Sequence, residues 1–142
     1  MSYDKLKLEN QLCFPLYACS KEIIKKYKPY LDPLGITYTQ YIALMALWEE
    51  DNITVKDLGK KLFLDSGTLT PLFKKMESQN LVVRQRSSDD ERNVYIRLTE
   101  EGKNLRDKAL DIPNRIGSCI DLPMEEIIQL QKSLLKLLDQ LG

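Results

Sequence analysis

Apolar residues recur with the spacing of a helix along most of this chain, but between residues 81 and 99 they recur at every second position. The segments "LVVRQR" and "NVYIRLT" alternate apolar and polar residues, and the polar stretch "SSDDER" separates them. Such alternation indicates two half-buried strands joined by a turn. Apolar residues elsewhere follow the three- and four-residue spacing of helices. The chain is therefore predicted to be mainly α, with a small β-hairpin between two groups of helices.

Three helices are predicted before the hairpin. The first covers about residues 6 to 28, and Pro15 predicts either a kink or a local helix start near Cys13, because proline removes a helical hydrogen bond. The segments "TQYIALMALWEE" and "VKDLGKKLF" are predicted to be the next two helices. Thr37 or Thr39 can cap the former and Thr54 the latter. Residues 52 to 54 are predicted to link these two helices in extended form.

The segment "DSGTLTPLFKKMESQN", residues 65 to 80, is predicted to be a helix, and its pattern says most about function. Its inward stripe has the i, i+3, i+4, i+7 spacing and consists of Leu69, Leu72, Phe73 and Met76. Short hydroxyls and lysines lie largely off this stripe: Ser66, Thr68, Thr70, Lys74 and Lys75. Pro71 predicts that the helix begins just before it, within the first turn.

Short helices followed by a charged hairpin are the element order of a winged helix-turn-helix. Helix 65–80 would then enter the major groove of DNA, where its hydroxyls and lysines reach phosphates and base edges. Arg84 and Arg86 on the hairpin would contact the adjacent backbone or minor groove. The alternative is a solvated helix beside a surface hairpin. Charge mapping favours the first interpretation: residues 53 to 99 carry nine Lys/Arg against six Asp/Glu, a local excess of +3 in a chain of net charge zero.

After the hairpin, "TEEGKNLRDKALDIPNRIGSCI" returns to a helical pattern. The last segment has apolar residues at alternating spacings of three and four, which is typical of a helix–helix seam. These residues are Ile127, Leu130, Leu134, Leu137 and Leu141.

The composition excludes several classes of function. With 142 residues the chain is one domain, and with no histidine it can form neither a Ser-His-Asp nor a Cys-His nucleophile system. Three widely spaced cysteines make a poor zinc site and do not resemble a secreted disulfide framework. We therefore expect no enzyme activity, no catalytic residue, no metal and no cofactor. The N-terminus lacks a signal-peptide core, which predicts a cytoplasmic protein with reduced thiols and no membrane partner.

The segment "LENQLCFPLYACSKEIIKKY" has a cysteine and two tyrosines on one side of a predicted helix. At about 100° per residue, Tyr17 and Tyr27 each lie within about 40° of Cys13, whereas Cys19 falls on a different face. Phenol hydroxyls can donate hydrogen bonds to a thiolate and so favour its reactive form. Ordinary core packing is the alternative, because unpaired cysteine is among the most buried residue types.

Three stretches carry a family resemblance: "LDSGTLTPLFKKME", "RQRSSDDERNVYIRLTEEG" and "ITYTQY". They resemble the multiple antibiotic resistance regulator (MarR) family of winged-helix repressors, essentially from end to end. The context "QLCF" is similar to the organic-hydroperoxide-responsive branch of that family, the OhrR-like regulators, and to staphylococcal thiol-switch relatives.

This resemblance implies a redox-switched repressor that binds a palindromic operator as a homodimer. Cys13 matches the peroxide-reactive cysteine, with Tyr17, Tyr27 and Tyr38 around it, and in that family the partner subunit contributes the last. Asp90 and Arg92 match a wing-tip pair in which the arginine enters the minor groove and the aspartate steadies it. Residues 1–35 and 100–142 would form a helical dimerisation region around a DNA-binding region, 36–99, all within one MarR-type domain. An organic hydroperoxide would be the oxidant.

The resemblance also implies two routes after oxidation. In the two-cysteine subgroup a second thiol, near the place of Cys119 here, closes an intersubunit disulfide with the first, which makes Cys119 the candidate resolving thiol. The alternative is capture of the sulfenic acid by a small thiol. For Cys119 the alternative role is packing in a helix interface, and Cys19 is predicted to be a packing residue. A regulator responding to a small phenolic ligand, a thiol peroxidase, and a helical interaction module built on the C-terminal seam are the other functions considered.

Overall fold

The computed structural model of the chain describes residues 2–89 and 92–142. Within these residues the fold is mainly helical with one small antiparallel sheet, as predicted. The helices are α1 Cys13–Leu31, α2 Tyr38–Glu49, α3 Val55–Leu62, α4 Ser66–Ser78, α5 Glu100–Ala109, α6 Ile112–Gly117 and α7 Met124–Leu141, and the strands are β1 Ile53–Thr54, β2 Val82–Arg86 and β3 Val94–Leu98. The predicted wing turn at Asp90 lies outside the described residues.

Helix α1 begins at Cys13, which confirms the predicted local start, whereas the predicted beginning near residue 6 is wrong. Pro15 lies in the first turn, where the backbone needs no helical donor. Two short 3-10 turns precede the helix. Beyond Leu31 the chain turns at Gly35, whose φ of 72° is a left-handed conformation that glycine adopts without a Cβ clash.

Helix α2 runs through the centre of the core. Thr37 caps it by a reciprocal pair of hydrogen bonds with Gln40, an arrangement that satisfies two backbone N–H groups at the helix start. Ala43, Leu44 and Leu47 on this helix are completely buried. The helix is apolar on several faces because α1, α3, α4 and α5 all pack against it.

Helices α3 and α4 form the helix-turn-helix pair. Thr54 caps α3 as predicted by accepting a hydrogen bond from the Asp57 N–H, and Asp65 caps α4 by accepting from the Thr68 N–H. The predicted start of α4 just before Pro71 is wrong, because the helix begins at Ser66 and the proline falls in its second turn. Proline has no N–H, and the Gly67 carbonyl that would accept from it lies on an exposed residue, where water can solvate it.

The sheet has a third strand that the sequence pattern did not predict. The expected extended link after α2 pairs with the hairpin, so the strand order is β1-β3-β2 and all pairs are antiparallel. In the hairpin itself Arg84 lies opposite Ile96. Ile96 is fully buried and anchors the wing to the helices.

The helical segment predicted after the hairpin consists of two helices. Helix α5 ends at Ala109, and α6 begins at Ile112 with Pro113 in its first turn, because a proline is tolerated there but not in a continuous helix. The C-terminal helix α7 has no buried residue within the single chain, although leucines such as Leu130 and Leu134 line it. No helix among the described residues has both the length and the hydropathy needed to cross a membrane.

Helix α5 packs closely against the winged-helix region at Gly102. The Trp48 indole N–H donates a hydrogen bond of 2.9 Å to the Gly102 carbonyl. A Cβ at this position would overlap the Leu81 carbonyl and would lie 3.1 Å from Leu98 Cδ2. Only glycine therefore allows α5 to approach the sheet this closely.

We expect Gly102→Ala to lower the free energy of unfolding by about 1–3 kcal/mol, since the added methyl must displace backbone. Gly117→Ala is the matched control, because a Cβ there meets nothing within 4 Å. Urea denaturation followed by circular dichroism measures both variants. Equal stability of the two alanine variants would contradict the close approach at Gly102.

Candidate functional site

Helix α4 presents one polar, positively charged surface. Leu69, Phe73 and Met76 are buried as predicted. The five predicted DNA-contacting side chains of this helix are all exposed: Ser66, Thr68, Thr70, Lys74 and Lys75. The Thr68 backbone and side chain donate hydrogen bonds that hold the pKa of the Asp65 carboxyl below its usual value. The helix N-terminus is therefore capped by an ionised group while hydroxyls and lysines face solvent.

The wing is joined to α4 by an ion pair that sequence reasoning missed. The Arg84 backbone N–H and its Nε donate to the two carboxylate oxygens of Glu77, each at 3.1 Å. These hydrogen bonds, the backbone one most, lower the pKa of Glu77. Arg84 consequently links α4 to β2, and its contact with DNA stays a prediction.

Other cations extend the polar surface of α4. Arg86 at the end of β2 and Arg92 beyond the wing turn are both exposed, as a DNA-contacting role requires. Lys56 and Lys60 on α3 are exposed one helical turn apart and, with Arg84 and Arg92, line an open cavity beside the N-terminal half of α4. These two lysines were not predicted, although their i, i+4 spacing on the polar side of α3 could have identified them.

Three tyrosines cluster where the C-terminal part of α1 meets the start of α2. The ring centroids of Tyr27 and Tyr38 are 4.9 Å apart, and Tyr41 lies 5.7 Å from Tyr27 and 6.2 Å from Tyr38. Burial raises the pKa of Tyr27, and the neighbouring phenols of Tyr38 and Tyr41 raise it further. The Tyr27 phenol therefore keeps its proton well into the alkaline range and remains a hydrogen-bond donor. Tyr41 was missed by the sequence reasoning, although it lies one turn after Tyr38.

Cys13 lies at the opposite end of α1 from this cluster. It is the first residue of the helix and is exposed. Fourteen residues separate it from Tyr27, which is about 21 Å at a helical rise of about 1.5 Å per residue. Tyr17 follows Cys13 by four residues and is also exposed, with the Lys21 Nζ 5.3 Å from its ring. One chain thus brings Cys13 near Tyr17 but not near Tyr27 or Tyr38.

Cys119 also lies away from Cys13. It follows α6, which packs near the C-terminal end of α1, where the Arg115 guanidinium is 5.7 Å from the centre of the Tyr30 ring. The Cys119 thiol is exposed and donates to the Arg115 carbonyl at 3.5 Å. The predicted resolving thiol and the tyrosine cluster are therefore both near the same end of α1. Cys19, the third free thiol, is exposed in the middle of α1 rather than packed in the core.

Among residues 2–89 and 92–142, no group of three or more cysteine and carboxylate side chains is close enough together to hold a metal ion.

Known proteins similar to this chain are named as transcriptional regulators. The Bacillus subtilis organic hydroperoxide resistance transcriptional regulator is 54% identical over 139 residues, which cover 98% of this chain and 95% of that protein. The structure of reduced AbfR bound to DNA is 36% identical, covers 98% of this chain and 96% of its own, and has a TM-score of 0.81. AbfR is a Staphylococcus epidermidis protein.

The fold also resembles an oxidised relative, but less closely. The structure of disulfide-formed AbfR is 37% identical, covers 93% of this chain and 95% of its own, and has a TM-score of 0.65. The arrangement of helices in this chain is therefore nearer to the reduced, DNA-bound relative. The sequence model of the transcriptional regulator SarA/Rot family matches residues 25–109, more than half of the chain. With this match, and with relatives named as regulators over nearly its whole length, the chain belongs to the SarA/Rot family of winged-helix transcriptional regulators.

Proposed function

We propose that this protein is a dimeric DNA-binding repressor that releases its operator when an organic hydroperoxide oxidises Cys13. The observation that carries the proposal is the overlap with the DNA-bound structure of reduced AbfR along 98% of the chain. The name of the Bacillus relative supports a hydroperoxide as the signal. The relatives are regulators, so Cys13 would act as a switch and not as the centre of an enzyme.

Helix α4 binds the major groove and the wing contacts the adjacent minor groove. The exposed hydroxyls of Ser66 and Thr70 and the Lys74 ammonium share one row of the helix, at spacings of four residues. Lysines neutralise phosphates and release counterions, which makes DNA binding weaken as salt rises. The ion pair between Glu77 and Arg84 holds the wing at a fixed angle to this helix.

We expect Lys74→Ala to weaken DNA binding about three- to tenfold and to lower the slope of log Kd against log salt by about one. Fluorescence anisotropy with a labelled operator at several salt concentrations measures both quantities. Lys26→Ala is the control, since Lys26 is an exposed lysine on α1, away from the DNA-binding surface. An unchanged salt slope for Lys74→Ala would remove this lysine from the interface.

Two copies of the chain associate through the N- and C-terminal helices, residues 1–35 and 100–142. Large apolar side chains are exposed on both helices, including Phe14 and Ile23 on α1 and Leu134 and Leu138 on α7. Exposed apolar area of this extent marks an interaction site, because burying it is favourable by about 25 cal/mol per Å². A homodimer places two α4 helices on successive turns of a palindromic site.

The reactive centre is assembled between the two subunits. The tyrosine cluster of one chain is about 21 Å from its own Cys13, so Tyr27 and Tyr38 reach a cysteine only across a two-fold axis. Because these two rings touch, a dimer that brings in the partner's Tyr38 brings in Tyr27 as well. Tyr17 approaches from the same chain, one turn along α1. The phenols then donate hydrogen bonds to the Cys13 thiolate in a mostly apolar pocket.

Oxidation proceeds in two steps. The Cys13 thiolate attacks one oxygen of the hydroperoxide, the O–O bond breaks, and the alkoxide takes a proton and leaves as an alcohol. The sulfur, oxidised by two electrons, is now a sulfenic acid. The Cys119 thiolate of the partner then attacks this sulfur, a disulfide forms and hydroxide leaves as water. Cys119 shares its end of α1 with the tyrosines, so the same dimer geometry that activates Cys13 also supplies the resolving thiol.

We expect Cys13→Ser to bind operator within about twofold of the unmodified protein and to lose its release by cumene hydroperoxide, because a hydroxyl is not oxidised. Cys19→Ser is the matched control and should respond normally. Gel-shift titration before and after peroxide treatment measures release. Normal release from the serine variant would refute the sensor assignment.

For Cys119, we expect peroxide to produce a covalent dimer that Cys119→Ser does not form. Non-reducing electrophoresis of the two proteins, with and without a reductant, gives the result. A dimer band that persists in Cys119→Ser would exclude this residue as the partner of Cys13. Absence of the band from the unmodified protein, with a small thiol bound to Cys13, would favour the one-cysteine route.

A second function is favoured by one observation. An open cavity of about 950 Å³ lies between the winged-helix region and the end of α7, with Phe63, Leu138 and Leu141 on its apolar side and Arg84 and Arg92 on its basic side. Such a cavity suits a small phenolic anion. Release of Cys13→Ser from DNA by a salicylate-like compound, together with indifference of the unmodified protein to peroxide, would favour this ligand-responsive regulator.

A further inference from the structure

Gln40 is the one polar side chain buried in the core of the described residues, at 1% exposure. Its Oε1 accepts a hydrogen bond of 3.1 Å from the Thr37 N–H, and its Nε2 donates to Gln79 Oε1 at 2.9 Å. A buried amide without partners would cost free energy, so both ends of this side chain are held in place. Gln40 therefore has a fixed position relative to both of its partners.

These amides join two regions that are far apart in the sequence. Gln40 lies on α2 between Tyr38 and Tyr41, two members of the tyrosine cluster. Gln79 is the C-cap residue of α4, and its Nε2 donates to the Gly35 carbonyl at 2.9 Å. The cluster end of α2 and the C-terminal end of the recognition helix are thus connected by directional hydrogen bonds.

We propose that Gln40 and Gln79 are positioning residues that transmit a displacement of the tyrosine cluster to α4. This inference rests on the proposed redox function, in which the Cys13 thiolate is hydrogen bonded to the cluster of the partner subunit. When Cys13 is drawn into a disulfide, its hydrogen bonds to the phenols break and the first turn of α2 shifts. The amide link makes α4 follow that shift, so that the two recognition helices no longer match the spacing of the operator.

The hydrogen bond between Gln40 and Gln79 differs in kind from the apolar contacts between α2 and α4. Apolar contacts between α2 and α4 are non-directional and fix no particular pair of atoms, whereas each amide hydrogen bond joins one donor to one acceptor. A hydrogen bond weakens steeply when its angle or distance changes, and two amides in series therefore move together. An open cavity of about 490 Å³ borders Gln79, between Gly35 and the α5 residues Asn104 and Lys108. This space allows the end of α4 to move without a steric clash.

The experiment compares Gln79→Met, which preserves side-chain length but removes both hydrogen bonds, with the unmodified dimer. For each protein, anisotropy gives the operator Kd in the reduced and the peroxide-oxidised state, and intact mass spectrometry gives the extent of Cys13 oxidation. We expect Gln79→Met to oxidise equally, to bind within about threefold when reduced, and to have a ratio of oxidised to reduced Kd at least tenfold smaller than that of the unmodified protein.

Ser78→Ala is the matched control at the same helix end, because the Ser78 hydroxyl donates only to the Lys75 carbonyl of its own helix. Its Kd ratio should equal that of the unmodified protein. Gln79→Glu is the second variant: it keeps an acceptor for Gln40 Nε2 and should retain most of the response.

Three other results of this experiment would overturn the coupling role. A Gln79→Met ratio within twofold of the unmodified protein, with Cys13 oxidised, would overturn the coupling role while leaving the redox function intact. Loss of reduced binding by more than tenfold in both Gln79 variants would show a purely structural role. If oxidation of Cys13 left the Kd of the unmodified protein unchanged, the proposed function itself would fail, and the inference with it.

Discussion

A continuous α-helix is a rigid rod, and α1 separates Cys13 from the tyrosine cluster by about 21 Å. Bending the helix to bring them together would break several backbone hydrogen bonds, whose loss no single thiol–phenol contact offsets. Cys13 and the ring cluster of Tyr27 and Tyr38 are consequently held at opposite ends of α1 in one subunit. In our proposal this constraint requires a dimer, places the reactive site between two subunits and gives Cys119 its role.

The winged-helix region and the terminal helices differ in how they are stabilised. Helices α2, α3 and α4 bury their apolar faces against one another, and Leu44, Leu58 and Met76 are completely inaccessible. Helix α7 buries none of its residues within the chain. The core formed by α2, α3 and α4 also includes Leu31 of α1 and Leu105 of α5, whereas no residue of α7 belongs to it. In our proposal a second copy of the chain covers α7 and the exposed apolar side of α1.

Much of the local structure could be predicted from the sequence, because helix starts and strand alternation depend on residues within a turn of one another. The cap of α3 at Thr54 and the start of α1 at Cys13 are examples. The two-residue strand β1 was too short for a period to identify. The hydrogen bond between Gln40 and Gln79 joins residues 39 positions apart. No pattern along the chain encodes it, since either glutamine by itself is an ordinary helical residue.

The sequence alone determined the order of the elements, the polar surface of α4 and the family resemblance carried by its motifs. Which residues share a site was decided by the tertiary structure. Angles around a helix put Tyr27 on the same side as Cys13, but the rise along the helix axis separates them and the packing of α2 against α1 gives Tyr27 a different neighbour, Tyr38. Local preferences act over a few residues, whereas the meeting of distant side chains depends on how rigid elements bury their apolar surfaces together.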